Sequence, residues 1–523
     1  MKTRLLAAVA LAALPLAGVA QSSRVDAAFD HFWAAASPAE AAERVDEVVA
    51  SGVTYDEALR RLRAGRRYQA QPPGVVQMTS KAPGGPVDID HHFAVTIPDG
   101  YDASKRYQVR IQLHGGVMNR HTNVPPPNAG SIGALASDEP QIYLVPFAWD
   151  AAPWWSEDQL QTLRSALDIV KRRYNVDENR VVLSGVSDGG TGAYYVSMRD
   201  TTPYASFLPL NGYWGVLAVH DLDVDGPLFP GNMRNKPFFI VNGERDPLYP
   251  TSLVEPAIAH YRKIGLMFEY HPQAGAGHNT QWWPQVKGTF ESFVRAHPRR
   301  PLPDVVSWET ASATAFNRAH WIVINSIAAF PGDATLDDPN LVASEPRADF
   351  GARSIGNRIN RVMPGSNAER IGLKAGDALV RLNDETVHVG VDVEEIFKGI
   401  TPGSNITLLV ARDNAPVELA GVYAPTQTVD PPHPMFDRGV PSGRVDATRD
   451  GNTVTVKTRG VTAFTLLLSP DQFDLEQPVT VVVNGHNAPG SKVEKSVRTL
   501  MKWAATDNDR TMLFGAELRV NLR

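Results

Sequence analysis

Apolar positions along this chain keep two rhythms. Val25, Ala28, Phe29, Phe32 and Trp33 share one helical face. Ser37-Pro38-Ala39-Glu40 and Thr54-Tyr55-Asp56-Glu57 each set an N-cap hydroxyl three residues before a Glu, which opens a helix. Residues 21–69 are therefore expected to form a helical head that packs on the neighbouring domain rather than a lid. Short apolar runs then alternate with longer, helix-like stretches: 93–97, 109–113, 142–146, 181–183, 236–243 and 266–270. That alternation predicts an α/β domain over 70–300, with a doubly wound, mostly parallel sheet. Further on, 305–310, 320–324, 444–447, 453–457, 464–468 and 479–483 read as strands, with turn signals at Asp450-Gly451-Asn452 and Asn484-Gly485. Because two strands make no stable sheet alone, residues 301–345 are expected to join 425–523 in a β-sandwich, with 346–424 inserted.

Chemistry concentrates at the ends of the α/β strands. Gly185-Val186-Ser187-Asp188-Gly189 follows the run Val181–Leu183 and precedes the small residues that start a helix. A Ser between glycines on such a strand-to-helix turn is a nucleophile elbow. Asp246 sits in the loop leaving the strand at 236–243. His278 stands in the glycine-rich loop Gln273–Thr280, after the strand at 266–270. His114-Gly115-Gly116 ends the strand 109–113 and can supply oxyanion-hole amides.

On these residues the chain resembles the α/β-hydrolase superfamily, in particular its secreted esterase-like and prolyl-oligopeptidase-like serine hydrolases, over roughly residues 70–300. The resemblance implies Ser187 as nucleophile, His278 as general base and then acid, and Asp246 as the group orienting the imidazole. It also implies oxyanion donors from the Asp188 amide and one of Gly115, Gly116 or Val117, with the choice open. Two tryptophan pairs, Trp154-Trp155 and Trp282-Trp283, lie near these loops. Adjacent aromatics suggest that one of each pair faces a cleft, so Trp155 and Trp282 are expected to bind substrate.

The inserted stretch resembles a bacterial PDZ domain, carried by Asp349-Phe350-Gly351-Ala352, the strand Arg358–Val362 and the long run Pro364–Asn383. Such domains take extended peptides, often C-termini, by strand addition. The loop at 349–352 departs from the usual glycine-rich form, so peptide binding and a purely architectural role both stay open.

Composition narrows the setting. Lys2 and Arg4, an apolar Leu5–Leu16 core and Gly18-Val19-Ala20 have the layout of a cleaved signal peptide at 1–20, pointing to a periplasmic or secreted protein. There are no cysteines, which excludes disulfides, thiolate metal sites and a Cys nucleophile. The net charge of −6 without a basic stripe argues against nucleic acid, and no run is long enough for a membrane span. No metal or cofactor is expected. The leading expectation is ester hydrolysis through an acyl-enzyme, with peptidase activity or a non-catalytic peptide-binding scaffold as alternatives.

Overall fold

In the computed structural model the described residues are 13–522, except 82–88, 128, 223, 225, 329–337, 343–346, 389–395, 398, 429–432 and 438–439. The expected leader at 1–20 lies mostly outside them. The chain divides into two compact units, residues 1–340 with 435–523, and residues 341–434.

The first unit begins with α1 (Ala13–Trp33), α2 (Pro38–Glu43), α3 (Val45–Ala50) and α4 (Tyr55–Ala64). Ser37 and Thr54 cap α2 and α4 by accepting the Glu40 and Glu57 amides. Val25, Phe29, Phe32, Val48 and Leu62 share one core with Leu500, Met501 and Ala504 of the helix Val497–Asp507. The two ends of the chain thus meet in one helical cluster.

The central sheet holds β1 (Gly74–Lys81), β2 (Asp90–Ile97), β3 (Tyr107–Leu113), β4 (Ile142–Pro146), β5 (Val176–Val186), β6 (Ser206–Leu210), β7 (Phe238–Gly243) and β8 (Phe268–Gln273). Its order is β1-β2-β4-β3-β5-β6-β7-β8. The pairs β1/β2 and β2/β4 are antiparallel, and every pair from β4/β3 to β7/β8 is parallel. Helices α5 (Glu157–Arg173), α6 (Asp188–Arg199) and α7 (Thr251–Lys263) connect strands of this sheet, and α8 (Trp283–Ala296) follows β8. Two apolar clusters involve the sheet, one with Leu113, Leu183 and Tyr194, the other with Leu208, Phe239 and Phe290. A parallel sheet with both faces covered reads as near-continuous apolar runs, as β7 does, whereas β3 alternates Gln108, Arg110 and Gln112 with apolar residues although most of it is buried.

Two further sheets complete the first unit. One has five strands, His486–Ser491, Val479–Val483, Thr453–Arg459, Gly443–Asp450 and Val305–Thr310 in spatial order. The other has four, Arg318–Ala319, Ile322–Ile327, Val461–Leu468 and Ala516–Asn521. Trp308, Trp321, Val445, Phe464, Leu466 and Val481 form their common core, so the two sheets make a sandwich.

The second unit carries a five-strand path, Ala352–Ile355, Arg358–Val362, Ala378–Leu382, Asn405–Arg412 and Ala415–Val422. A short helix, Asn367–Ile371, is capped by Ser366 and closed by a left-handed Gly372. Its core gathers Phe350, Ile359, Leu379, Leu408 and Val410.

Candidate active site

Strain begins at the turn after β5. Ser187 adopts φ 57°, ψ −121°, a backbone state costly for a residue with a Cβ. Its neighbours hold it there: the Ser187 amide donates to Leu210 O at 2.9 Å, and its carbonyl accepts from the Thr191 amide. Glycine is obligatory on both sides for lack of room. A Cβ at Gly185 would stand 2.0 Å from Gly189 O, and one at Gly189 would stand 2.3 Å from Leu113 O.

Asp246 and His278 arrive from the ends of β7 and β8. Asp246 is buried, and its Oδ1 accepts from the Leu248 and Tyr249 amides at 2.8 and 3.0 Å. Its Oδ2 lies 2.7 Å from His278 Nδ1, and His278 Nε2 lies 2.8 Å from Ser187 Oγ. A carboxylate can only accept, so Nδ1 carries the proton and Nε2 is free to accept from the hydroxyl. The loop under His278 is pinned to the Asp246 loop: Glu244 accepts from the Gly275 amide at 2.6 Å, and the Arg245 amide donates to Ala276 O at 2.9 Å. Asn211 Nδ2 holds Asn279 O at 2.8 Å. Tyr249 sets its ring edge-on to the His278 ring, with centroids 5.8 Å apart.

The opposite wall is the 114–117 turn. His114 Nε2 accepts from the Ala148 amide at 3.1 Å, so Nδ1 bears the proton and donates to Gly115 O at 3.0 Å. Burial pushes this imidazole down to about 4, partly opposed by the bond to Gly115 O. His114 is therefore a neutral, single-tautomer clamp. A trans peptide points its C=O and N–H in opposite directions, so a clamp on Gly115 O sets the direction of the Gly116 amide. The Val117 amide is already engaged, donating to Asp188 Oδ2 at 2.7 Å. Among the described residues, the Gly116 and Asp188 amides donate to no protein acceptor. The turn closes within van der Waals reach of the elbow, because a Cβ on Gly115 would lie 2.9 Å from Ser187 Cβ.

Ser187, Asp246, His278, Gly115, Gly116 and Asp188 are thus gathered at one place. Trp155 and Trp282 take another. They are 3% and 6% exposed, packed in the two sheet clusters instead of facing a cleft. Trp282 and Trp283 occupy consecutive positions at the start of α8. Consecutive helical positions are only about 100° apart, so both fit inside one apolar stripe. Trp154 lies over Gly192, and its indole N–H donates to His114 O at 2.8 Å. Three contributors were not legible in the sequence: the Asp188 carboxylate, the His114 ring and Tyr249. Each acts through contacts that only the folded loops create.

In the second unit, the Gly351 amide donates to Asp349 Oδ1 at 2.7 Å, and Arg353 grips both oxygens of that carboxylate at 2.9 Å. One amide of the loop that would receive a peptide terminus is therefore already occupied. Ala352–Ile355 ends the order of its sheet, with Ile355 77% exposed.

The sheet order and the elbow on β5 define an α/β-hydrolase fold. The family model described as the PDZ domain matches residues 358–412, so the chain also carries a PDZ domain. No curated protein matches the sequence. Among solved structures, a thermostable esterase is similar at 18% identity over 43% of this chain and 63% of its own, with a TM-score of 0.35. The chain thus spans less than two thirds of that esterase. Apo S-formylglutathione hydrolase of Staphylococcus aureus is similar at 13% identity over 43% of this chain and 99% of its own, TM-score 0.34. A Bacteroides ovatus protein assigned as a dipeptidyl aminopeptidase IV is similar at 14% identity over 43% and 36%, TM-score 0.33.

Proposed function

We propose that this protein is a serine hydrolase of carboxylic esters, acting outside the cytoplasm after loss of its leader. One observation carries the reading: His278 bridges Ser187 and Asp246 at hydrogen-bond length above a strained elbow. Ser187 Oγ attacks the ester carbonyl carbon while its proton passes to His278 Nε2. The oxyanion settles between the Gly116 and Asp188 amides, at the N-terminus of α6. Cleavage of the C–O bond sends the His278 proton to the departing alcohol. Water, deprotonated by the same nitrogen, then releases the acid and restores Ser187. The PDZ domain takes an extended peptide beside Ala352–Ile355.

The test sets short-chain nitrophenyl esters beside aminoacyl nitroanilides, for wild type and Ser187→Ala. Ester turnover should dominate and fall at least 10³-fold in the variant. Dominant anilide turnover would make the protein a peptidase. Turnover untouched by Ser187→Ala would remove the site altogether.

A further inference from the structure

Beside the oxyanion turn, and outside the chemistry of the triad, lies a cavity of about 200 Å³. Its wall includes Gln77, His92, His114, Arg120, Ser131 and Phe147 and, among the described residues, no Asp or Glu. Among the described residues Arg120 is its one Lys or Arg, and its guanidinium forms no ion pair with a carboxylate and no hydrogen bond to an acceptor. Its Nε is buried without a partner. The Phe147 ring lies against the guanidinium, 5.5 Å from ring centroid to Cζ. Such a contact holds the cation without providing a hydrogen-bond acceptor for its in-plane N–H donors.

The cavity is tied to the site by its walls. His114 lines it and also clamps Gly115, and the Arg120 amide closes the turn by donating to Val117 O at 3.0 Å. A tight helical turn rises about 2 Å per residue, so Arg120 stands roughly 8 Å along the backbone from Gly116. A planar group with two acceptor oxygens is what an unsatisfied guanidinium fork fits. A lone cation in a cavity without acids favours a negative ligand.

We infer that Arg120 and this cavity form a subsite for a carboxylate on the substrate, which makes the preferred ester a half ester of a dicarboxylic acid. The inference rests on the ester-hydrolase reading and names the substrate class of that same site. The carboxylate seats on Arg120 while the scissile carbonyl lies over Ser187, so acyl chains of adipoyl to suberoyl length reach and succinyl does not.

Nitrophenyl half esters of succinate, adipate and suberate are compared with neutral acyl esters of equal length. In wild type the charged adipoyl or suberoyl ester should exceed its neutral counterpart at least tenfold in kcat/KM. Arg120→Met should erase that ratio, and Arg120→Lys should keep part of it. Because the readout is a ratio, a general loss of activity cancels. A ratio near unity in wild type, or one unmoved by Arg120→Met, overturns the subsite. A binding arm keeps this separate from the hydrolase reading. By calorimetry, monomethyl adipate should bind Ser187→Ala and lose at least tenfold affinity in Ser187→Ala/Arg120→Met. Equal affinity in the two would also overturn the proposal, whereas missing ester turnover with intact Arg120-dependent binding would fault only the chemistry.

Discussion

Asp188 joins two parts of the site: its carboxylate fixes the Val117 amide, and its own amide is the proposed oxyanion donor. If that bond sets the turn, Asp188→Ala should lower kcat about 10- to 100-fold with KM little changed, less than or comparable to losing a donor outright. Asp188→Asn still offers an acceptor oxygen and should retain most turnover. Equal losses in both variants, by steady-state kinetics on a neutral ester, would contradict it. His114 makes a second prediction. Burial holds it at about 4 against an ordinary 6.5, so between those values the unfolded chain binds a proton that the folded chain refuses. Stability then rises with pH across that window: the contribution is complete above about 6.5 and fades as pH falls toward 4. The effect is about 3 kcal/mol. Denaturant unfolding at pH 7 and 4.5 should show a smaller difference in His114→Gln than in wild type, and identical differences would refute the clamp. Ser187, Asp246 and His278 are legible in the sequence because each follows a recognisable strand. The roles of the Asp188 carboxylate, Tyr249 and Arg120 are not, since their partners come from distant loops.

Packing of strand against helix governs the elbow. The start of α6 lies so close to β5 and β3 that neither Gly185, against Gly189 O, nor Gly189, against Leu113 O, has room for a methyl group. Gly189→Ala should destabilise the molecule by about 3 kcal/mol. By calorimetric scanning that is roughly 6–12 °C in Tm, with the proposed ester turnover lost alongside. An unchanged Tm would mean the turn relaxes freely. Most elements are visible in the hydrophobic rhythm, including the Ser366 and Gly372 boundaries of the PDZ helix. β1 and β6 are not. β6 is only Ser206–Leu210 and carries Pro209, which argues against a ladder position yet pairs with Gly185. β1 is a mostly exposed edge strand whose inner face, Val76, Met78 and Ser80, is only partly apolar and mostly half-buried. The tryptophan pairs depart from expectation for the reverse reason, because loops and a helix start cover what an isolated turn would expose.

Across the whole molecule, the ends of the chain are fastened to the centre. Arg299, 1% exposed in its side chain, pairs with buried Asp509 at 2.6 Å and also holds Asn179 and Thr202 O. Burial raises the Asp509 carboxyl, but the Arg299 and Lys171 charges and bonds from Thr511 hold it well below the usual carboxylate range. Removing one partner leaves a buried charge, so Asp509→Ala should cost about 3–5 kcal/mol in denaturant unfolding. The insert is different. Met435 donates its amide to Asn340 O at 2.8 Å, so the chain leaves and re-enters at adjacent residues. Excising 341–434 through a short linker should leave the proposed ester turnover within about twofold, since loop closure there changes little.

Activation of Ser187 by His278 is the step on which the proposed chemistry depends. Fluorophosphonate labelling of wild type and His278→Ala, with the adduct located by peptide mass spectrometry, tests it most directly. A single adduct on Ser187 is expected, formed at least 10³-fold more slowly without the imidazole. An adduct elsewhere, or equal labelling rates in the two proteins, would contradict it.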